Sequence, residues 1–270
     1  MTNKFPQALT IAGSDSDGSA GIEADLHSFF QQKVYGTVIL TAAVAGNSYG
    51  IFDSFTLPKD FIKQEFKNLG ADFKIRASKT GMLASVDLIS LVAQEYQKYN
   101  FGPLVVDPVI VTKHGAFLVE KDGIEAFKKL LFPLATVVTP NFHEAEALTG
   151  LTLNSDQMVK EAAIQLQKLG AKNIIIKGSH NFDSSQRTVR DFVLLMDGDS
   201  FWLENAYINT QRINGTGDTL SAIITAQLAL GKTVKDAIII ANEQTHQALE
   251  DSIDVGHKYG PINHWKISDN

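Results

Sequence analysis

Short β-branched runs alternate with longer amphipathic stretches along almost the whole chain, and few architectures accommodate that rhythm. Strand candidates fall at 8–12, 38–45, 75–80, 104–106, 137–139, 173–177 and 192–196. Helical patterns occupy 20–32, 59–68, 86–99, 123–131, 157–169 and 217–230, and a further helical stretch surrounds His246. Strands separated by helices of this length read as βαβ units built on a mostly parallel sheet. VVDPVIV and NIIIKG are near-continuous apolar runs, as expected of strands covered on both faces. Asp197-Gly198, between VLLM and FWLE, reads as a hairpin turn, so some antiparallel pairing is expected near 192–203. No Pro/Gly/Ser-rich linker, low-complexity segment or repeat divides the chain, and one α/β domain over residues 1–270 is expected.

Composition narrows the function. Hydrophobic residues make up 44% of the chain, enough for a sizeable core. A formal charge of −6 argues against sequence-independent nucleic-acid binding, which needs a basic surface. The absence of cysteine removes disulfides, thiolate zinc sites and thiol nucleophiles together, and fits a reducing compartment. No apolar run approaches the ~18 residues of a membrane span, and MTNKFPQ does not resemble a secretory leader. A cytoplasmic protein with no membrane partner is expected.

Ligands of open parallel sheets sit beyond the carboxyl ends of the strands, so polar clusters at strand ends carry the candidate chemistry. GSDSDGSAG (13–21) follows the first strand; its glycines permit close backbone approach to a ligand, and its Ser and Asp equally suit capping of the next helix. Asp107 ends a buried strand, where a carboxylate is costly unless paired, hydrogen-bonded or metal-linked. Lys113 and His114 follow in a loop and are either phosphate contacts or solvated side chains. In TPNFHE, Asn141 and Glu144 share one face of a helical turn, which suits either water-rich magnesium coordination or a capping box. Lys177-Gly178 ends another strand, in a position to line a nucleotide. RINGTGDT (212–219) places Gly-x-Gly at the start of an apolar helix, where unpaired N–H groups and the positive dipole end converge on an anion. Asp218 stands in that first turn, either as a base for an attacking hydroxyl or as an acid favoured by the dipole. There is no Walker A, dinucleotide GxGxxG, HExxH or GxSxG pattern, and the 7 histidines are scattered.

Taken in order, these clusters resemble the vitamin-kinase branch of the ribokinase superfamily, the hydroxymethylpyrimidine and pyridoxine (pyridoxal) kinases. The likeness runs through ALTIAGSDSDGSAGIEADL, KTGML (79–83), VVDPV (105–109), TPNFHEAEALTG (139–150), IIIKG (174–178) and NGTGDT (214–219), from about residue 8 to 264. It implies a three-layer α/β/α sandwich and magnesium-dependent transfer of the ATP γ-phosphate to a hydroxymethyl group, with ATP and Mg2+ as cofactors. By motif position it makes Gly215, Thr216 and Gly217 the anion hole and Asp218 the base. Asn141, Lys177, Gly178 and Asn214, with Gly215 and Gly217, would meet ATP, while Asp107, Asn141 and Glu144 would organise magnesium. Ser14, Asp25, Gly46, Asn47, Met82 and Val109 would line the pocket for the ring. A homodimer and a small heteroaromatic alcohol or aldehyde as substrate are further implications, as is the absence of a nucleic-acid partner.

Two departures bear on the substrate. The branch commonly has Cys within His-Gly-x-Gly-Cys where Asp218 stands, and Asn214 takes the place of that His. Hydroxymethylpyrimidine kinases carry a Gln amide where this chain has Gly46, and losing it weakens a site built to hydrogen-bond a pyrimidine edge. The ending GHKYGPINHW (256–265) is also similar to the pyridoxine-kinase subgroup. The expectation is a pyridoxal, pyridoxine and pyridoxamine kinase of vitamin B6 salvage. A hydroxymethylpyrimidine or phosphomethylpyrimidine kinase of thiamine synthesis is the alternative, and a sensor that has lost catalysis is disfavoured by the intact set of motifs. Segments 112–117 and 179–187, polar and beyond strand ends, are expected to act as lids.

Overall fold

The computed structural model describes residues 3–111, 119, 121–180, 188–251 and 253–267, with the side chains of Ser179 and His180 left out. Both expected lids fall wholly or largely outside these residues, as do Lys113 and His114. The chain forms two compact units, residues 1–82, 94–104 and 208–270 in one, and 83–93 and 105–207 in the other.

In the first unit, β1 (Gln7–Asp15) is flanked by two parallel neighbours, β2 (Tyr35–Asn47) and β4 (Ala77–Thr80), while β3 (Gly50–Thr56) pairs antiparallel to β2. The order is therefore β3-β2-β1-β4. Residues 7–13 of β1 are all buried, as an apolar run covered on both faces requires. Helix α1 (Gly21–Gln31) follows β1, α2 (Lys59–Asp72) follows β3, and α7 (Thr216–Ala229) and α8 (Val234–Glu250) close the unit. Ala8, Phe29, Val34, Ala77, Ala222, Ala226 and Ala229 form one buried cluster of α1, α7 and the strands beneath them. Small alanines let α7 pack closely, and the helix is buried almost all round.

In the second unit, β5 (Leu104–Val106), β6 (Ala135–Val138), β7 (Asn173–His180), β8 (Thr188–Leu194) and β9 (Ser200–Ala206) lie in that order. The unit boundary falls within α3 (Val86–Tyr96); α4 (Lys121–Ala126), continued by a π-helical turn (Phe127–Leu131), precedes β6. Helices α5 (Phe142–Thr149) and α6 (Asp156–Lys168) lie between β6 and β7. The expected hairpin is present: β8 and β9 are antiparallel with Phe192 opposite Trp202, and Gly198 takes φ +90° in the turn. The α/β class and the mostly parallel central sheet agree with the sequence pattern. No helix among the described residues is long and apolar enough to cross a membrane.

Several elements depart from the expected map, β3 and α8 among them. The strand β3 was absent from the sequence pattern because GIFDSFT is exposed throughout, so no inside–outside alternation marks it. Helix α8 was visible only as a stretch around His246, since its buried face mixes Ala237, Ile238 and Ala241 with Asn242, Gln244 and Thr245.

Candidate active site

The candidate residues of the first unit gather around the start of α7. Gly215 is the N-cap with φ +78°, and a Cβ there would run into the Ser19 carbonyl. Only glycine satisfies both the left-handed backbone and the close approach. Asn214 ties the same loop down: its Nδ2 donates to Ser19 Oγ at 3.4 Å, and its backbone N–H donates to Gly260 O at 3.0 Å. The segment 13–21 and the segment before α7 thus brace each other. Thr216 directs its hydroxyl to Ile213 O at 2.7 Å, and Gly217 and Asp218 complete the first turn, whose N–H groups lack acceptors within the helix. The Asp218 side chain is 20% exposed, so its carboxylate reaches the surface of the unit.

Behind Asp218 lies an arrangement that the sequence did not single out. The Lys79 ammonium is completely buried, donates to the Asp25 carboxylate, and stands 3.9 Å from Asp218 Oδ1. Thr10 donates its hydroxyl to the other Asp25 oxygen. Burial pushes the Asp25 carboxyl up to about 7 against the opposing pull of Lys79, with Asp218 adding to the rise. Asp25, expected to line the ring pocket, has an exposure of 0% and holds the Lys79 ammonium. A lysine in the middle of a buried strand is itself the signal that would have found this group, because such a charge requires partners.

The other expected ring contacts of this unit are held by local bonds. Ser14 donates to Glu23 Oε1 at 2.6 Å, with Asp15 N–H on Glu23 Oε2 at 2.7 Å. Desolvation and Asp17 push Asp15 up to about 6. Met82 packs its methyl group against Gly13, where an added Cβ would lie only 2.9 Å away. Asn47 accepts from Tyr49 N–H at 2.9 Å within the β2–β3 turn. Gly46 sits at a bulge, where its N–H donates to Ser16 Oγ at 2.9 Å and its carbonyl accepts from the same hydroxyl at 3.0 Å.

The second unit holds a separate polar cluster. Asp107, 3% exposed at the end of β5, accepts from Lys177 Nζ at 3.0 Å. Asn141 and Glu144 form the capping box of α5: Asn141 Oδ1 accepts from Glu144 N–H at 2.9 Å, and Glu144 Oε2 accepts from Asn141 N–H at 2.8 Å. Glu144 Oε1 also takes the Ile110 N–H at 2.8 Å, and Asn141 Nδ2 donates to Val111 O at 3.1 Å. Burial, then Asp107, pushes the Glu144 carboxyl up to about 7. Gly178, at φ +74°, forms a bulge in β7 and donates its N–H to Asp191 at 2.8 Å. Val109 is a β-branched residue at φ +48°, a conformation that costs energy and is held by its surroundings.

Among the described residues, no three His, Cys, Asp or Glu side chains cluster as a metal cage. The donor chemistry fits magnesium in its usual manner: hard oxygen ligands, few carboxylates and retained water. Asp107 adds to the charge cost of the buried Glu144 carboxylate, which a divalent cation would relieve. Both Glu144 oxygens already accept backbone N–H groups, so the residue serves as the capping acid of α5.

The family model for phosphomethylpyrimidine kinase matches residues 15–263. A hydroxymethylpyrimidine/phosphomethylpyrimidine kinase from Haemophilus influenzae is 43% identical over 262 residues, 97% of each chain. The structure of an ADP complex of Bacillus subtilis pyridoxal kinase superposes with a TM-score of 0.89 at 36% identity, covering 98% of this chain and 99% of that one. A Staphylococcus aureus pyridoxal kinase in complex with AMP-PCP and pyridoxal gives 0.86 at 34% identity, over 96% and 93% of the two chains. The fold and motifs define a ribokinase-like vitamin kinase, an ATP-binding phosphotransferase. The chain belongs to the phosphomethylpyrimidine kinase family.

Proposed function

We propose that this kinase phosphorylates the hydroxymethyl group of pyridoxal, pyridoxine or pyridoxamine. The observation that carries the reading is Gly46, which presents no side chain to a ring and whose N–H and carbonyl are both engaged by Ser16. A pyrimidine edge finds no amide there. Phosphoryl transfer is mostly positioning and charge stabilisation, and the chain's parts divide accordingly. Asp218 takes the proton of the acceptor hydroxyl, and Gly215, Thr216 and Gly217 direct N–H groups at the transferring phosphoryl group. Lys177, Gly178, Asn141 and Asn214 bind the nucleotide. Asp107, with Asn141 and Glu144, holds the region where magnesium is bound through water; the metal supplies neutralisation of phosphate charge. Ser14, Asn47, Met82 and Val109 are assigned to the ring. The reaction is placed in the cytoplasm.

Identity of 43% to a hydroxymethylpyrimidine/phosphomethylpyrimidine kinase favours a second reading, phosphorylation of the pyrimidine in thiamine synthesis. ADP release with magnesium-ATP, comparing kcat/KM for pyridoxal, pyridoxine and hydroxymethylpyrimidine, separates the two. Dominance by the pyridines supports the first reading, and dominance by the pyrimidine overturns it. We also propose a homodimer, supported by Ile51, Phe52 and Phe55, all more than half exposed on the outer strand β3. Sedimentation equilibrium at micromolar concentration tests it, and a monomer refutes it.

A further inference from the structure

Lys79 reaches both Asp218 and the fully buried Asp25, and stability alone does not explain it. Replacing a buried ion pair by apolar residues of similar size is often neutral or favourable, so a strand with no other duty has little use for a lysine. Here the ammonium is seated on Asp25, which Thr10 holds from β1, and it faces α7 at two points: Asp218 Oδ1 at 3.9 Å and the Asp218 backbone carbonyl at 3.5 Å. The two contacts fix the carboxylate relative to its own helical turn. Of the two acids only Asp218 reaches the surface, with Asp25 at 0% and Asp218 at 20% side-chain exposure.

We infer that Lys79, oriented by Asp25, is the positioning residue for the Asp218 base. The inference rests on the proposed kinase reading, in which the hydroxyl proton passes to Asp218, the hydroxyl oxygen forms the new P–O bond, and the bridging oxygen leaves on ADP. With Asp25 ionised, the triad carries one positive and two negative charges before that step; after it, Asp218 is neutral and Lys79 and Asp25 still balance each other. Without Asp25, protonating Asp218 would leave a buried ammonium with no counter-charge, which opposes the transfer. Without Lys79, two carboxylates face each other and the base loses its anchor.

The test uses Lys79→Met, Asp25→Asn, the double variant D25N/K79M, and each in an Asp218→Asn background. Lys79→Met strands the Asp25 carboxylate and is expected to lower the melting temperature and cut kcat by about tenfold to hundredfold, the scale of a misplaced catalytic group. ATP KM stays within about threefold, since nucleotide contacts are not touched. The double variant removes both charges, so melting recovers while kcat does not. In the Asp218→Asn background the same changes lower the residual rate less than about threefold, because the group they position is already gone. Recovery of kcat together with melting in D25N/K79M reduces the pair to a structural one and overturns the inference. Full multiplicative losses in the Asp218→Asn background overturn it as well. A wild-type chain that phosphorylates no acceptor overturns the kinase reading and this inference with it, whereas the other two failures leave the kinase reading standing.

Discussion

The imidazole of His264 ties the end of the chain to the helix that carries Asp218, and acid should loosen it. His264 is 7% exposed, its Nε2 lies 2.9 Å from the Thr219 hydroxyl, and the His27 ring stands 5.2 Å away. Burial, and then His27, lowers its folded value to about 4 from the ordinary 6.5. A depressed histidine is neutral in the native state, so the unfolded chain binds the extra proton as pH falls. The stabilisation is complete above 6.5, declines below it, and is gone near 4, where the native ring charges as well. A difference of this size corresponds to about 3 kcal/mol between pH 7.5 and pH 4. Raised carboxylates such as Asp25 act with the opposite sign at higher pH, so the measurement is a difference between proteins. His264→Gln keeps an acceptor for Thr219 but cannot titrate. Urea unfolding followed by circular dichroism at half-unit pH steps should show wild type losing about 3 kcal/mol relative to His264→Gln across that window. A difference that does not change with pH would mean the ring is not held neutral, and would refute the reasoning. Ile262 N–H donates to Asn214 O at 3.2 Å, so the loosening is expected to reach the loop before Asp218 and lower kcat over the same pH interval.

Three further outcomes follow from named contacts. Gly215→Ala combines a left-handed backbone with collision against the Ser19 carbonyl, and should cost at least about 1–2 kcal/mol in urea unfolding and abolish most phosphoryl transfer; a stable, active variant refutes the assigned backbone. Glu144→Gln keeps one carbonyl acceptor but turns an NH2 on a backbone N–H, of Asn141 or of Ile110, lowering stability by about 1 kcal/mol, and raises the magnesium concentration for half-maximal rate; an unchanged magnesium dependence leaves Glu144 with the capping role alone. Gly46→Gln places a Cβ 2.9 Å from the Gly50 carbonyl, so it should lower the melting temperature as well as shift kcat/KM towards the pyrimidine; a shift in neither removes position 46 from substrate choice.

The strand rhythm, the buried runs and the 197–198 turn were legible because periodicity and turn chemistry are local properties. Strand β3 was not, since its pairing with β2, rather than any pattern of its own, makes it a strand. Asn141 and Glu144 were ambiguous for a physical reason: an acid three residues after an N-cap is the same pattern whether its oxygens meet backbone N–H groups or a hydrated ion, and the bonds to Ile110 and Asn141 show the first of these. Gly46 shows the reverse difficulty. Its lack of an amide read as a statement about substrate, yet the bulge beside Gly50 also excludes a side chain, so one glycine answers two demands and its identity alone does not apportion them. Lys79 was quoted in the sequence only within the KTGML motif, and it is its complete burial in β4 that requires partners. Those partners lie 54 residues before it and 139 after it, separations that no local pattern spans. The fold therefore turns this lysine into a link between Asp25 on helix α1 and Asp218 in the first turn of α7, and the proposed direction of the Asp218 carboxylate rests on that link as well as on the GTGD turn.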